Sequence, residues 1–322
     1  MSLKTLSLAA AFAAAMSAPA LAQDAFPVTI AHAYGETVIA AKPERVVIIG
    51  WIAGDVMLAL GEMPLALPIE SWGGGPDGML PWIRDRIAEL GGDPPVIVDM
   101  DLAIPFEELL ALEPDLILAP YSGLTDLEYA RLAAIAPTVA FADTAWSGAW
   151  QDVTRTVGRA LGREADAETL IADTETYLVT LGQQHPEFAG KTFAYAWDDT
   201  ANGNLPVYVP ADSRVQATQD LGLVLAPGII ALPAGDSFWI NVSLENLATI
   251  DADILITWHS SQEQLDAFRA NPLVARYRPV AEGHHVGVVD RSRVMAQSAP
   301  GPLAMRWEMD QFVAELADLL RQ

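Results

Sequence analysis

The sequence predicts an α/β protein of two lobes joined by one long α-helix, on three observations. Two sets of short β-rich runs alternate with helical patterns, as βαβ units do. A segment at 165–184 with helical periodicity separates the two sets. The length of 322 residues corresponds to about two domains. We therefore predict lobes at 23–146 and 189–322, and a connecting helical segment at 147–188.

Short apolar runs bounded by glycine, proline or polar residues predict the strands. In the first lobe they are 45–50, 64–70, 115–120 and 137–141, with helices at 106–113 and 127–135. In the second lobe they are 192–197, 206–209, 253–258 and 285–290, with helices around 213–221, 244–250, 262–269 and 302–321. Pro114 ends the helix at 106–113, because proline disfavours a helical conformation in the residue before it.

The segment at 165–184 is predicted to be a rigid strut. Twenty helical residues span about 30 Å, and the segment lacks the glycine, serine and proline content of flexible linkers. Its apolar face consists of Ala167, Leu170, Ile171, Tyr177, Leu178 and Leu181. The alternative is a crossover helix within one continuous sheet. The repetition of one pattern on both sides of the segment favours two lobes.

Residues 1–22 have the three parts of a secretory signal peptide. Lys4 precedes an apolar run at 6–16, and the small residues Ala20 and Ala22 provide an A-x-A cleavage site. The run is shorter than the roughly 20 apolar residues of a membrane span. We expect a mature chain that begins at Gln23. Because the sequence has no cysteine for a lipid anchor, we expect this chain to be free in the periplasm.

The composition excludes several classes of function. Lys and Arg number 18 against 42 Asp and Glu, a net charge of −24, whereas a nucleic-acid binder needs clustered positive charge. The absence of cysteine excludes disulfides, thiolate metal sites and a cysteine nucleophile. The catalytic motifs G-x-S-x-G and H-E-x-x-H are also absent. An exported enzyme is therefore the weaker alternative to a binding protein.

A shared pattern places one glutamate near the start of a helix in each lobe. Glu107 lies in the segment 105–118 and Glu245 in the segment 243–256. Each segment continues as an apolar helix face, an acidic turn and a buried strand. A carboxylate there is favoured by the helix N-terminus, typically by about 0.3–1 kcal/mol. The alternative is that the two glutamates form a paired acidic docking feature, one on each lobe.

Aromatic residues accumulate where strands are predicted to end. Ligands of α/β sheets bind outside the carboxyl ends of the strands, and flat apolar faces suit a bulky metal chelate. The candidate ligand-binding aromatics are Trp51, Trp72, Tyr121, Trp197, Tyr208, Trp239 and Trp258. Trp239 is predicted to lie in a loop between Asp236 and Asn241. For each aromatic residue, burial in a core is the competing interpretation.

Several segments in a fixed order carry a family resemblance through nearly the whole mature chain. They are 43–47, 59–67, 109–118, 134–141, 157–163, 270–280 and the closing helix. The chain thereby resembles the substrate-binding proteins of iron–siderophore ABC importers, whose relatives bind haem and vitamin B12. The resemblance implies two Rossmann-like lobes joined by a single long helix, which is the class III or helical-backbone type of periplasmic binding protein.

The resemblance also implies partners. It implies a monomeric periplasmic receptor that takes a ferric siderophore to an inner-membrane permease dimer, which a cytoplasmic ATPase drives. Glu107 and Glu245 then correspond to the glutamates with which this family docks against permease arginines. Haem, cobalamin and a bare metal ion remain alternative cargoes.

Arg214 and Arg306 are the basic candidates for the ligand cleft. Arg214 lies near Asp212, so surface pairing is its alternative role, and Arg306 is equally compatible with a solvated position. The other second-lobe arginines considered are Arg291 and Arg293. A strongly anionic catecholate complex would need several convergent arginines, so we favour a neutral or cationic ferric hydroxamate. The glycine-rich loop at 71–78 is predicted to be a flexible part of the cleft rim.

Histidine spacing does not indicate a metal site. The histidines are His32, His185, His259, His284 and His285, and no two of them have the i,i+4 spacing of helical ligands. We expect no cofactor and no metal ligand from the protein, because a siderophore holds its iron itself.

Overall fold

The computed structural model describes residues 26–235 and 237–321, and the signal peptide predicted at 1–22 lies outside them. The first-lobe strands are β1 (Val28–His32), β2 (Gly35–Ile39), β3 (Val46–Ile48), β4 (Ala66–Pro68), β5 (Val96–Val98), β6 (Leu116–Leu118) and β7 (Thr138–Val139). The helices are α1 (Ala53–Ala59), α2 (Pro81–Leu90), α3 (Phe106–Ala111), α4 (Asp126–Ala133) and α5 (Trp150–Ala160), followed by the long helix α6 (Glu164–Gln183).

The second lobe repeats the alternation of strands and helices. Its strands are β8 (Thr192–Trp197), β9 (Asn204–Tyr208), β10 (Val224–Leu225), β11 (Trp239–Ser243), β12 (Ile254–Trp258) and β13 (His285–Val288). Its α-helices are α7 (Ser213–Asp220), α8 (Pro227–Ile230), α9 (Gln262–Ala270), α10 (Arg278–Ala281), α11 (Arg291–Ser298) and α12 (Pro302–Leu320). Short 3₁₀ helices lie at Pro186–Phe188, Thr200–Asn202, Leu244–Ile250 and Val274–Arg276.

The sheet of the first lobe is parallel and has the order β5-β4-β3-β6-β7. The chain moves outward from β3 in one direction and then returns to place β6 on its other side. Such a change of direction leaves a crevice at the carboxyl ends of the two central strands, where open α/β sheets bind ligands. The turns after β3 and β6 therefore border this crevice.

The sheet of the second lobe is mixed. Its main path is β11-β9-β8-β12-β13, with β8, β12 and β13 parallel and β9 antiparallel to both neighbours. The prediction that Trp239 lies in a loop is wrong, because Trp239 begins β11 and pairs with Tyr208 of β9. This pairing joins segments that are distant in the sequence, which a local pattern does not reveal.

The long helix α6 joins the cores of the two lobes. It has 20 residues, from Glu164 to Gln183. Ala167 near its start is buried in the first-lobe core, whereas Ile171, Leu178 and Leu181 are buried in the second-lobe core. One rigid element thus belongs to both hydrophobic cores, and the protein is a two-lobed α/β protein connected by one long helix. No helix among residues 26–235 and 237–321 is long and apolar enough to cross a membrane.

The last helix forms a second contact between the lobes. The two oxygens of the Asp55 carboxylate, in α1, accept hydrogen bonds from the backbone N–H groups of Leu303 and Ala304, at 2.9 Å each. These are two of the donors that the first turn of a helix leaves without a partner. Asp55 is only 5% exposed, and a Cβ at Gly301 would lie 2.4 Å from its carboxyl carbon. The first lobe therefore caps the start of α12 from outside that helix.

We expect Asp55→Ala to lower the free energy of unfolding by about 2 kcal/mol, because two buried N–H groups lose their acceptor. Burial raises the pKa of Asp55 to about 7. The folded state therefore holds a proton that the unfolded state loses near pH 4. The stability advantage of the wild type over Asp55→Ala should then fall as pH rises towards 7. Urea unfolding measures both effects, and Asp93→Ala, an exposed aspartate, is the control.

Candidate functional site

The turn after β3 is held against the end of β6. The backbone N–H of Trp51 donates to the carbonyl of Tyr121 at 2.9 Å. Gly50 has φ +81°, and a Cβ at this position would lie 2.4 Å from the same carbonyl oxygen, so only glycine fits. Ile52 has a left-handed φ of 66°, which is strained for a β-branched residue. The result is a fixed turn that presents the Trp51 ring at the crevice.

Trp146 is a site residue that the sequence analysis missed. Its ring lies 4.8 Å from the ring of Trp51, measured between centroids, and its backbone N–H donates to the Ser122 carbonyl at 3.0 Å. Trp146 also has a left-handed φ of 55°, and a Cβ at Gly123 would meet its indole nitrogen at 2.4 Å. It follows no predicted strand, so the rule of aromatic residues at strand ends does not find it. The residues beside it in the sequence form no motif either, and only the fold brings it to Trp51.

These turns enclose a cavity of about 490 Å³. Three half-buried tryptophans contribute to its wall, Trp51, Trp72 and Trp146. Met295 of α11 lines it from the second lobe. The charged residues of the wall are Glu70, Asp101 and Glu128. A cavity of this volume with flat apolar faces and a few polar groups has the size and character of a small-molecule site.

The second lobe contributes an aromatic wall of its own. Trp197 and Trp258 end neighbouring parallel strands and are partners in the register, so their side chains lie on the same face of the sheet. The Trp197 ring packs 5.1 Å from Tyr208 and 4.9 Å from Trp239, between centroids. The indole N–H of Trp258 donates to the Tyr208 hydroxyl at 3.0 Å. Four of the predicted aromatics thus form one continuous cluster.

The two aromatic walls meet across the lobes. The Trp72 ring of the first lobe packs edge-on against Trp258 of the second, at 5.8 Å between centroids. The Tyr121 hydroxyl lies 3.0 Å from the Ser213 hydroxyl, also across the lobes. Tyr121 itself is only 2% exposed, and burial raises its pKa to about 12. In this conformation Tyr121 therefore closes the floor between the lobes and does not present a free face to the cleft.

Arg214 is buried behind the second aromatic wall. Its Nη1 lies 2.6 Å from the Asp212 carboxylate, and its guanidinium carbon lies 4.1 Å from the centre of the Tyr208 ring. Burial opposes the charge on Arg214, but Asp212 together with the neighbouring tyrosines holds the pKa of Arg214 above its ordinary value. The pairing considered from the sequence is present, but it is buried and not on the surface. Arg214 joins the site through Tyr208.

Arg306 is not brought to the cleft. It is exposed on α12, where its guanidinium lies over Tyr177 of α6 and donates to the Asp173 carbonyl at 3.2 Å. The structure therefore gives Arg306 a place beside the connecting helix, away from the two aromatic walls. The sequence predicted that Arg306 lies in the first turns of the last helix. It did not show which side of that helix faces the cleft.

Two other arginines also have assigned contacts. Arg293 binds the carboxylates of Glu308 and Glu315 at 2.8 and 2.9 Å, within the second lobe. Arg291 is exposed, and its guanidinium lies 5.6 Å from the centre of the Trp72 ring. Arg291 is thus the arginine at the mouth of the cleft, where the second lobe approaches the first.

The glycines of the loop at 71–78 serve close packing. A Cβ at Gly73 would lie 2.4 Å from Met295, and one at Gly74 would lie 2.4 Å from the Glu70 carbonyl oxygen. The loop is closed by hydrogen bonds from the Glu70 N–H to Gly78 and from the Gly74 N–H to Glu70, each 2.8 Å. The sequence placed this loop at the cleft rim and attributed its glycines to flexibility. The structure attributes them to tight backbone contacts.

The two lobe glutamates are exposed at the start of their helices. Glu107 lies in the first turn of α3 with 91% of its side chain exposed, and Arg131 lies 3.9 Å from it. Glu245 lies at the start of the 3₁₀ helix Leu244–Ile250, which the Ser243 side chain caps. Both carboxylates are therefore exposed, one on each lobe.

A buried hydrogen-bonded chain supports the second aromatic wall. The Thr257 hydroxyl contacts both His259 Nε2 and His285 Nε2 at 2.7 Å, and burial lowers the pKa of His285 to about 3. Asp198 lies 3.7 Å from His259 Nδ1. Asp198 and His259 directly follow the two strand-end tryptophans, so this contact ties the two strand ends together. Within the described part of the chain, no group of three or more His, Asp or Glu is placed to hold a metal ion.

Comparison with known proteins identifies the family. Residues 78–289 match the family described as "Periplasmic binding protein", which is well over half of the chain. The chain belongs to the periplasmic binding protein family. Members of this family are substrate-binding proteins. The family resemblance and the two-lobed α/β fold expected from the sequence are both confirmed.

Three individual proteins show how far the similarity extends. PiaA of Streptococcus pneumoniae TIGR4, solved in complex with ferrichrome, has a TM-score of 0.85 at 30% identity, covering 91% of this chain and 98% of that chain. A periplasmic solute binding protein of Mycobacterium smegmatis has a TM-score of 0.77 at 31% identity, with the same coverage of both chains. The putative ABC transporter substrate-binding lipoprotein YhfQ of Bacillus subtilis is 24% identical over 281 residues, 82% of this chain and 81% of its own.

Proposed function

We propose that this periplasmic binding protein is the receptor of an iron–siderophore ABC importer. The observation that carries the proposal is the cavity of about 490 Å³ with three half-buried tryptophans in its wall, which faces a second aromatic cluster across the lobes. Flat indole faces suit the delocalised ligands of a ferric chelate. The similarity to a protein solved with ferrichrome supports the same class of cargo.

The cargo is a neutral or cationic ferric hydroxamate. A catecholate complex carries a large negative charge, which needs convergent cations at the site. The cavity wall instead contains three carboxylates, and the charge of Arg214 is already offset by Asp212. The proposed ligand-binding set is Trp51, Trp72, Trp146, Trp197, Tyr208, Trp239 and Trp258, with Arg214 behind Tyr208. The chelator supplies every iron ligand, so the receptor needs no cofactor.

Delivery requires a membrane partner. The loaded receptor, a monomer in the periplasm, presents Glu107 and Glu245 to the two subunits of a permease, and ATP is hydrolysed by a cytoplasmic partner. The similarity to a putative ABC transporter substrate-binding lipoprotein supports such an assembly. Because α6 is part of both hydrophobic cores, it limits the hinge, and closure on the cargo is a small rotation of the lobes.

Tryptophan fluorescence tests the cargo. Titration of the mature protein with ferrichrome should quench the fluorescence of the cavity tryptophans with a dissociation constant in the micromolar range or below, roughly 8 kcal/mol of binding. Trp72→Ala should weaken binding at least about tenfold, because Trp72 contacts both the cavity and Trp258. Trp307→Ala, an exposed tryptophan on α12, should leave the affinity unchanged.

Other cargoes give different results in the same titration. A ferric catecholate that binds tightly, with ferrichrome inactive, would contradict the hydroxamate assignment. Haemin or cobalamin as the tighter ligand would replace the siderophore altogether. Stabilisation of the protein against heat by ferric ions alone, without a chelator, would instead indicate a metal-ion receptor.

A further inference from the structure

Glu70 is an unused carboxylate in the wall of the proposed ligand cavity. It follows β4, and its backbone is fixed by the two hydrogen bonds that close the loop at 71–78. Among the residues that the structure describes, none forms a hydrogen bond or ion pair with its side chain. The residue lines both the large cavity and a neighbouring space of about 50 Å³ beside Asp55. Its carboxylate is therefore preorganised, half-buried and without a counter-charge.

The other carboxylates of the wall already have partners. Asp101 accepts a hydrogen bond from the Ser71 hydroxyl. Glu128 accepts from the N–H and the hydroxyl of Thr125, at 2.8 Å each, in the capping box of α4. Of the three acids, Glu70 alone has no partner that would satisfy it within the described chain. A carboxylate in that position gains most from a cationic group of the ligand.

The rest of the cavity wall also favours positive charge. No lysine, arginine or histidine is among the described residues that line it. Indole faces attract a cation electrostatically, and three of them border the cavity. Arg291 lies outside the wall, over Trp72. The combination of aromatic faces and an unpaired carboxylate is the chemistry that recognises an ammonium group.

We propose that Glu70 selects a ferric chelate that carries a protonated amine, by pairing with the ammonium group inside the tryptophan-lined cavity. This inference rests on the proposed function and narrows its substrate class from neutral or cationic hydroxamates to those with an amine end. Glu70 is then a specificity-determining residue, while the aromatic walls hold the body of the chelate.

Binding of such a cargo is linked to a proton. Burial, followed by the charge of Asp101, raises the pKa of Glu70 to about 8. The spaces that Glu70 lines are also bordered by Glu128 of α4 and Asp55 of α1. Arg291 of α11 lies over the adjacent Trp72, and the ion pair of Asp77 with Arg84 of α2 belongs to the adjoining loop. At neutral pH the empty receptor therefore keeps a proton on Glu70, and an ammonium group displaces it. Affinity for the amine-bearing chelate should rise from about pH 6 to about pH 8.5, where an amine with a pKa near 10 is still charged.

A matched pair of ligands tests the proposal. Ferrioxamine B is a linear ferric trihydroxamate that ends in an ammonium group, and its N-acetylated form lacks only that charge. The wild type should bind ferrioxamine B roughly tenfold more tightly than the acetylated form near neutral pH, a preference that grows at higher pH. Glu70→Gln should bind both forms equally, with no pH dependence, and should keep the wild-type affinity for the acetylated form, which shows that it is folded.

A control variant and three contrary results complete this experiment. Glu108→Gln, an exposed glutamate of α3 outside the cavity, should retain the preference. Equal binding of both forms by the wild type, or a preference that survives in Glu70→Gln, overturns the role of Glu70. If Asp101→Asn removes the preference for ferrioxamine B and Glu70→Gln does not, then Asp101 and not Glu70 pairs with the ammonium group. Failure of both forms together with every other ferric hydroxamate overturns the proposed function itself, and this inference with it.

Discussion

Removal of the two lobe glutamates, in Glu107→Ala/Glu245→Ala, should abolish uptake of the ferric chelate and leave its affinity for the receptor intact. Both side chains are exposed at helix starts, one on each lobe, and neither lines the cavity of about 490 Å³. Charge-assisted hydrogen bonds to arginine contribute about 1.5–3 kcal/mol each. Loss of two such contacts weakens docking by a factor of more than about a hundred.

The measurement is uptake of radioactive ferric chelate by cells that carry the variant as their only copy. Each single substitution should reduce uptake less than the pair does. Glu36→Ala/Glu164→Ala removes the same charge from two exposed positions, on β2 and at the start of α6, and should transport normally. A fall in ligand affinity equal to the fall in uptake would move the glutamates from docking into the binding site or the fold.

Buried strands are short apolar runs, so most strands of the two parallel sheet cores were predictable from the sequence, although the three-residue β5 and the two-residue β10 were not predicted. β8 has the predicted limits, and β12 begins one residue later than predicted. The strut was predictable for the same reason, since one apolar stripe over 20 residues defines a helix with a buried side. These elements are predictable because their residue patterns lie within a single short segment of the sequence.

Two features that the sequence did not predict are a short hairpin and an edge strand. The strands β1 and β2 pair with each other, and β11 pairs with β9, which is distant from it in the sequence. The strands β1, β2 and β11 are all partly exposed, so their apolar residues do not form a continuous run. An edge strand takes its stability from its neighbour, and its own pattern is correspondingly weak.

The site shows the same division between local and non-local information. The strand-end rule located Trp51, Trp72, Trp197 and Trp258, because the carboxyl ends of parallel strands share one edge. It could not place Trp146, which a left-handed backbone conformation turns towards Trp51. The sequence also could not show that Arg214 lies beside the cleft and Arg306 does not, because a position in a helix does not show which face of the helix is buried.

The electrostatics of the cavity could not be predicted from composition. The chain is acidic throughout, so one more glutamate after a strand carries no signal in the sequence. Glu70 becomes distinctive only when its neighbours are known, because Asp101 and Glu128 have hydrogen-bond donors and Glu70 has none within the described chain. The proposed specificity for a cationic cargo therefore depends on how the folded wall arranges these side chains.

The buried pair of Arg214 and Asp212 should produce the largest change in stability. Arg214→Leu leaves the Asp212 carboxylate buried without its counter-charge, and we expect a loss of about 3–5 kcal/mol in the free energy of unfolding. Asp212→Asn leaves the guanidinium unpaired and should cost a similar amount, although asparagine still caps α7. The double variant should lose less than either single one, because no unpaired charge remains.

Urea unfolding of the four proteins gives the coupling energy, with Asp251→Asn as a control. Asp251 pairs with Arg278 at 2.7 Å, but both side chains are more than a third exposed, so its loss should cost less than about 1 kcal/mol. Additive losses in the Arg214 and Asp212 cycle would mean that the pair is not coupled in the folded protein.

Ligand affinity in the same double variant separates two roles of Arg214. If Arg214 acts only by supporting Tyr208 and the fold, the double variant, once its stability is restored, should bind ferrichrome as tightly as the wild type. If the guanidinium reaches an oxygen of the chelate when the lobes close, affinity should stay at least about tenfold weaker despite restored stability. We expect the first result, because Arg214 is buried behind the Tyr208 ring, 4.1 Å from its centre, and Asp212 already offsets its charge.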